Sequence, residues 1–124
     1  MTTDGKAGLV IVLEDDPRSA EALALLLGDW GYECLHGKAL DEVLPLVRPR
    51  AAEIRAVISD YHLHGGTTGI EAAKAIEANG VTAPVLLLTG TLRGAARQTA
   101  SAAGYRFMEK PVAPERLKTW LDGL

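Results

Sequence analysis

Leu9-Val10-Ile11-Val12-Leu13-Glu14-Asp15-Asp16-Pro17 carries, in one short stretch, an apolar run, an acidic cluster and the start of a helix. Consecutive apolar residues without polar alternation suit a parallel strand covered on both faces. Asp16-Pro17 then reads as an N-cap followed by proline at the first helical position, where a missing N–H costs nothing. The same order recurs along the chain. Ile54 to Ser59, around Ala56-Val57-Ile58, ends in Asp60; Val85-Leu86-Leu87-Leu88 ends in Thr89; Tyr105 to Glu109 ends in Lys110-Pro111. In open α/β sheets, chemistry gathers outside the carboxyl ends of the strands. Acids, a hydroxyl and a lysine that are far apart in sequence are therefore expected to meet in one pocket.

Helical patterns fill the intervals. Ala20, Leu23, Ala24 and Leu27 follow the i, i+3, i+4, i+7 spacing of one buried face, with Gly31 as the stop. Tyr32 to His36 reads as another strand. Leu40, Val43, Leu44 and Val47 repeat the helical spacing, with Pro45 on the exposed side and Pro49 ending the helix. Thr68-Gly69-Ile70-Glu71 has capping-box spacing, and its helix is expected to stop at Asn79-Gly80. Thr91 to Ala103 is a weak, Ala-rich helix interrupted by Gly94. Pro114 opens the last helix, with Leu117, Trp120, Leu121 and Leu124 on its inner side. Five strand–helix units in regular alternation predict a doubly wound α/β sheet.

Composition narrows the function. The 124 residues suffice for one domain, and a net charge of -3 argues against a nucleic-acid surface. Cys34 is the single cysteine, which rules out an internal disulfide. Residues 1–7 read as a flexible tail without a signal-peptide core, and Leu9 to Leu13 is too short to span a membrane. A cytoplasmic location is expected.

Clustered carboxylates repel one another unless a cation neutralises them. Hard oxygen ligands at the mouth of a sheet suit Mg²⁺, which binds one or two carboxylates together with phosphate oxygens. Asp60 could then attack phosphorus and carry an acyl phosphate. Lys110 would neutralise charge on the equatorial oxygens, and Thr89 would hydrogen-bond one of them.

With these residues in place, the chain over residues 8–124 resembles the receiver domain of two-component response regulators. The matching pieces are Val12-Leu13-Glu14-Asp15-Asp16-Pro17, Ile58-Ser59-Asp60-Tyr61, Thr68-Gly69-Ile70-Glu71, Leu88-Thr89-Gly90 and Lys110-Pro111. The resemblance implies a flavodoxin-like (βα)5 fold with a five-stranded parallel sheet in the order 2-1-3-4-5. It implies Asp60 as phosphoacceptor, Asp15 as direct Mg²⁺ ligand, Glu14 acting through a metal-bound water and the His62 backbone carbonyl as a further ligand. Thr89 and Lys110 would bind the phosphoryl group, and the Lys110-Pro111 bond would be cis. The phosphoryl donor would be a histidine kinase or histidine phosphotransfer domain. A downstream protein or domain would bind the face of the fourth helix, fifth strand and fifth helix. No output domain is expected after Leu124, and this chain is not expected to bind DNA itself, nor to be an enzyme beyond its own phosphorylation and dephosphorylation. The loop from Asp60 to Gly69 is longer than the usual receiver loop and lacks its proline, a form similar to C-terminal receivers of hybrid histidine kinases. The competing reading is a pseudo-receiver that binds partners without phosphorylation.

Several residues read two ways. Phe107 is either a core residue of its strand or the switch aromatic that follows Thr89. Cys34 and His36, two apart on one strand face, read as packing rather than as soft-metal ligands. Asp16 reads as a cap and not as a third metal acid. His62 and Thr91, two beyond Asp60 and Thr89, are expected at the pocket rim, where they would set the lifetime of the phosphoryl group. His64 reads as exposed loop, and Trp30 and Trp120 as core or core-edge residues.

Overall fold

A computed structural model describes residues 8–90 and 104–124. The tail at 1–7 and the helix expected over Thr91 to Ala103, Thr91 included, lie outside the described residues. The strands are β1 (Gly8–Leu13), β2 (Tyr32–Gly37), β3 (Ile54–Asp60), β4 (Val85–Thr89) and β5 (Arg106–Glu109). They form one parallel sheet in the order β2-β1-β3-β4-β5. The helices are α1 (Pro17–Asp29), α2 (Leu40–Val47), α3 (Gly69–Ala78) and a C-terminal helix (Pro114–Asp122).

The period of two along each strand divides the core. Leu9, Ile11, Leu13, Val57 and Leu87 pack on one face with Val43 and Val47 of α2 and Ile70 and Ile76 of α3. Val10, Val12, Ile58, Leu86 and Leu88 pack on the other with Leu23 and Leu27 of α1 and Leu117 and Leu121 of the C-terminal helix. Both faces are covered, so the central strands carry apolar residues at successive positions.

Helix ends follow their side chains. The Asp16 carboxylate accepts from the Arg18 amide (3.2 Å) and the Ser19 hydroxyl (3.0 Å), making it the N-cap of α1. Thr68 and Glu71 form a reciprocal capping box at α3. Gly31 (φ 90°) follows the α1 cap, and Gly80 (φ 97°) follows the Asn79 cap of α3; both adopt the left-handed backbone that glycine tolerates.

Pro45 is exposed within α2, as its spacing predicts. The chain does not simply end its helix at Pro49. It tightens into a 3-10 segment, Arg48–Glu53, held to β2 by Arg50, which pairs with Glu33 at 2.8 Å and also reaches Glu53. Leu124 lies past the end of the C-terminal helix and is 38 % exposed rather than inward-facing. Trp30 and Trp120 are half-buried at the edge of the core. Cys34 packs against the same core face, and burial pushes its thiol up to about 11, which suits packing rather than reactivity.

Candidate functional site

Each strand places one side chain at the same end of the sheet, and the backbone ladder runs one residue further to fix it. The Glu14 amide donates to the Gly37 carbonyl (3.1 Å), the Tyr61 amide to Leu88 (2.7 Å) and the Lys110 amide to Thr89 (2.8 Å). Glu14, Asp60 and Lys110 are thus held by rigid elements. One carboxylate oxygen from each of Glu14, Asp15 and Asp60 lies within 4.8 Å of the others.

Asp60 and Glu14 are buried, at 4 % and 1 % exposure, whereas Asp15 is exposed. Lys110 Nζ lies between the buried pair, 3.0 Å from Glu14 Oε1 and 2.5 Å from Asp60 Oδ1. The contact to Asp60 is an ion pair without hydrogen-bond alignment, so Asp60 Oδ1 is buried with no hydrogen-bond partner among the described residues. A buried carboxylate oxygen in that condition favours either a proton or a cation.

The electrostatics agree. Burial pushes the Asp60 carboxyl up to about 7, with the neighbouring Glu14 adding to the rise and Lys110 opposing it. Burial also raises Glu14, but hydrogen bonds involving Asp60, Lys110 and the Asp16 amide outweigh it and hold Glu14 below its ordinary value. Burial tends to lower Lys110, and its two carboxylate partners more than reverse this. One lysine faces two buried acids, and the remaining negative charge calls for a further cation. Three carboxylate oxygens of hard character fit Mg²⁺.

The other expected residues occupy the surroundings. Thr89 ends β4, paired with Glu109 of β5, and is half-buried. The Lys110-Pro111 peptide is cis. Phe107 is half-buried against the core face shared with α2 and α3. His62 is exposed and edge-on to Tyr61, with ring centroids 4.8 Å apart. A single bridge to Thr68 closes its loop, and its carbonyl accepts no hydrogen bond from the described residues. An apolar groove of about 430 Å³ runs beside Lys110 between α1 and the chain after β5, lined by Leu23, Leu26, Pro111 and Val112.

Two residues carry more than their sequence context suggests. Gly69 opens α3 directly against β3: a Cβ there would overlap the Asp60 carbonyl oxygen and lie 2.9 Å from Leu87 Cδ2. His36 is not a packing residue. It is exposed, and its Nε2 donates to the Glu14 carbonyl at 2.9 Å. The parallel register, Val12 opposite His36, is the signal that places position 36 beside the acidic turn.

Residues 10–122 match the response regulator receiver domain family, and the chain belongs to it. No curated protein sequence matches the chain. Among solved structures it is similar to the receiver domain of the hybrid histidine kinase CckA, with 25 % identity, a TM-score of 0.76, and coverage of 94 % of this chain and 97 % of that one. It is also similar to the chemotaxis protein CheY4 of Vibrio cholerae, at 26 % identity and TM-score 0.80, covering 94 % and 97 %. The non-phosphorylated HemR receiver domain of Leptospira biflexa matches at 26 % identity and TM-score 0.79, covering 94 % and 92 %. The sheet order and flavodoxin-like architecture agree with these likenesses. None of the described helices is long and apolar enough to cross a membrane.

Proposed function

We propose that residues 8–124 form a phosphorylation-operated switch that accepts a phosphoryl group on Asp60 from a histidine kinase or histidine phosphotransfer domain. The observation that carries this reading is the buried Asp60 Oδ1, without a hydrogen-bond partner among the described residues and flanked by Lys110, Glu14 and Asp15. An Asp60 carboxylate oxygen attacks phosphorus, the bond from phosphorus to the donor nitrogen breaks, and the leaving imidazole keeps the electron pair and takes up a proton. Asp15, Asp60, the His62 carbonyl and, through water, Glu14 would hold Mg²⁺. Bound there, the ion supplies charge neutralisation for the transferring oxygens. Lys110 orients and neutralises one oxygen, and the Thr89 hydroxyl donates to another. The groove beside Lys110 gives a protein donor an apolar surface next to the acceptor.

Thr89 moving toward the phosphoryl group would let the half-buried Phe107 follow and reshape the surface around β5 and the C-terminal helix. His62 and Thr91 would govern water access to phosphorus.

Incubation with acetyl phosphate and Mg²⁺, followed by intact mass, tests the reading. Wild-type protein is expected to gain one phosphoryl group and Asp60→Asn none, because an amide is not a usable nucleophile. Equal labelling of both would remove Asp60 as acceptor. No labelling of either would favour an interaction module that works without phosphorylation.

The acidic turn divides its labour. Asp15→Ala should weaken Mg²⁺ binding more than Glu14→Ala, since a direct ligand matters more than one acting through water. Asp16→Ala should leave Mg²⁺ binding intact and cost about 1 kcal/mol of stability as a lost cap. Mg²⁺ titrations and urea melts of the three variants separate these effects, and loss of Mg²⁺ binding in Asp16→Ala would contradict the assignment.

A further inference from the structure

We propose that His36 is a positioning residue for the Mg²⁺ site: its ring holds the Glu14–Asp15 peptide so that the Asp15 carboxylate stands beside Asp60. The inference deepens the receiver reading and rests on it. Asp15 is exposed, and its carboxylate makes no hydrogen bond or ion pair among the described residues. Its place within the cluster is therefore set by backbone alone. Glu14, by contrast, is tied at every polar group. Its amide donates to Gly37, Oε1 accepts from Lys110 and Oε2 accepts from the Asp16 amide at 3.1 Å.

The fourth tie is the Glu14 carbonyl, which belongs to the planar peptide leading into Asp15. Fixing that oxygen fixes the plane, and with it the direction in which the Asp15 Cα leaves. The sheet supplies no rung for this. β2 ends at Gly37, and no backbone amide among the described residues donates to the Glu14 carbonyl. The His36 ring takes the place of the missing rung, donating from Nε2 to the Glu14 carbonyl at 2.9 Å. Groups that orient ligands in this way influence metal affinity without touching the metal.

The test is a Mg²⁺ titration of the full chain, followed by amide NMR shifts around Asp60, with melting temperatures in EDTA measured in parallel. His36→Phe keeps a ring but has no donor, and is expected to weaken Mg²⁺ affinity about tenfold while melting in EDTA as the wild type does. His36→Gln, whose amide again offers an N–H, is expected to recover most of that loss. Wild-type affinity in His36→Phe, or no recovery in His36→Gln, would overturn the inference. So would a fall in the EDTA melting temperature that accounts for the lost affinity. A wild-type protein that binds no Mg²⁺ would instead overturn the receiver reading itself, and this inference with it.

Discussion

Asp60→Asn is expected to be more stable than the wild-type protein in Mg²⁺-free buffer at pH 8, by about 4 kcal/mol. In the folded chain Asp60 is pushed from an ordinary 3.8 to about 7 by burial first and by Glu14 second. Between those values the folded protein keeps a proton that the unfolded chain releases. The stability from protonated Asp60 is therefore complete below about pH 3.8 and is lost as pH rises through about 7. Glu14 is shifted the other way, so its contribution is lost only as pH falls below its ordinary 4.5, which lies below a pH 5 to 8 series. Lys110 is raised above its ordinary 10.5, so it titrates above the window. Urea melts from pH 5 to 8 should show wild-type stability falling with pH while Asp60→Asn stays level. Saturating Mg²⁺ should restore the wild type by binding the folded state. A wild-type curve that is flat in EDTA, or an amide variant no more stable at pH 8, would contradict the burial of an uncompensated charge.

Gly69→Ala is expected to cost about 3 kcal/mol or more, at the upper end of overpacking penalties. The added Cβ would overlap the Asp60 carbonyl oxygen, and backbone at the end of a central strand cannot swing aside as a flexible side chain can. That oxygen also accepts from the buried Ser59 hydroxyl at 2.9 Å, while the Gly69 amide donates to Tyr61 at 2.6 Å. α3 and the end of β3 are thus in backbone contact, and moving them apart would also shift Asp60 within its site. Gly90→Ala is the control: a Cβ there meets nothing within 4 Å among the described residues, and the change should stay within about 0.5 kcal/mol. Denaturant unfolding of the two variants separates a packing requirement at Gly69 from a general preference for glycine near the site. Equal stability of both would show that the α3–β3 contact relaxes freely.

The central strands were legible because burial on both faces leaves unbroken apolar runs, and the acids, Thr89 and Lys110 mark where those runs stop. Asp16 and Thr68 were legible because capping is local: donor and acceptor lie within three residues of each other. The role of His36 was not legible in that way. Its partner is 22 residues distant, and only the β1–β2 register brings them together. Gly69 was hidden for a related reason. Its place in a capping sequence explains the helix start, but the missing Cβ matters through β3, a different segment. Leu124 continued a helical spacing that the chain itself stops at Asp122, so periodicity overran the element. Phe107 remains poised between its two readings: it touches the core and is still half-buried.

The central claim is that Asp60 is a nucleophile waiting for phosphorus, and the most direct test is to find the bond. Wild-type protein treated with acetyl phosphate and Mg²⁺ should be reduced with borohydride, which converts an acyl phosphate to an alcohol, and then digested and sequenced by mass spectrometry. The reading predicts homoserine at position 60 alone, dependent on both the phosphodonor and Mg²⁺. Conversion at any other carboxylate, or at none while Mg²⁺ binds normally, would contradict it.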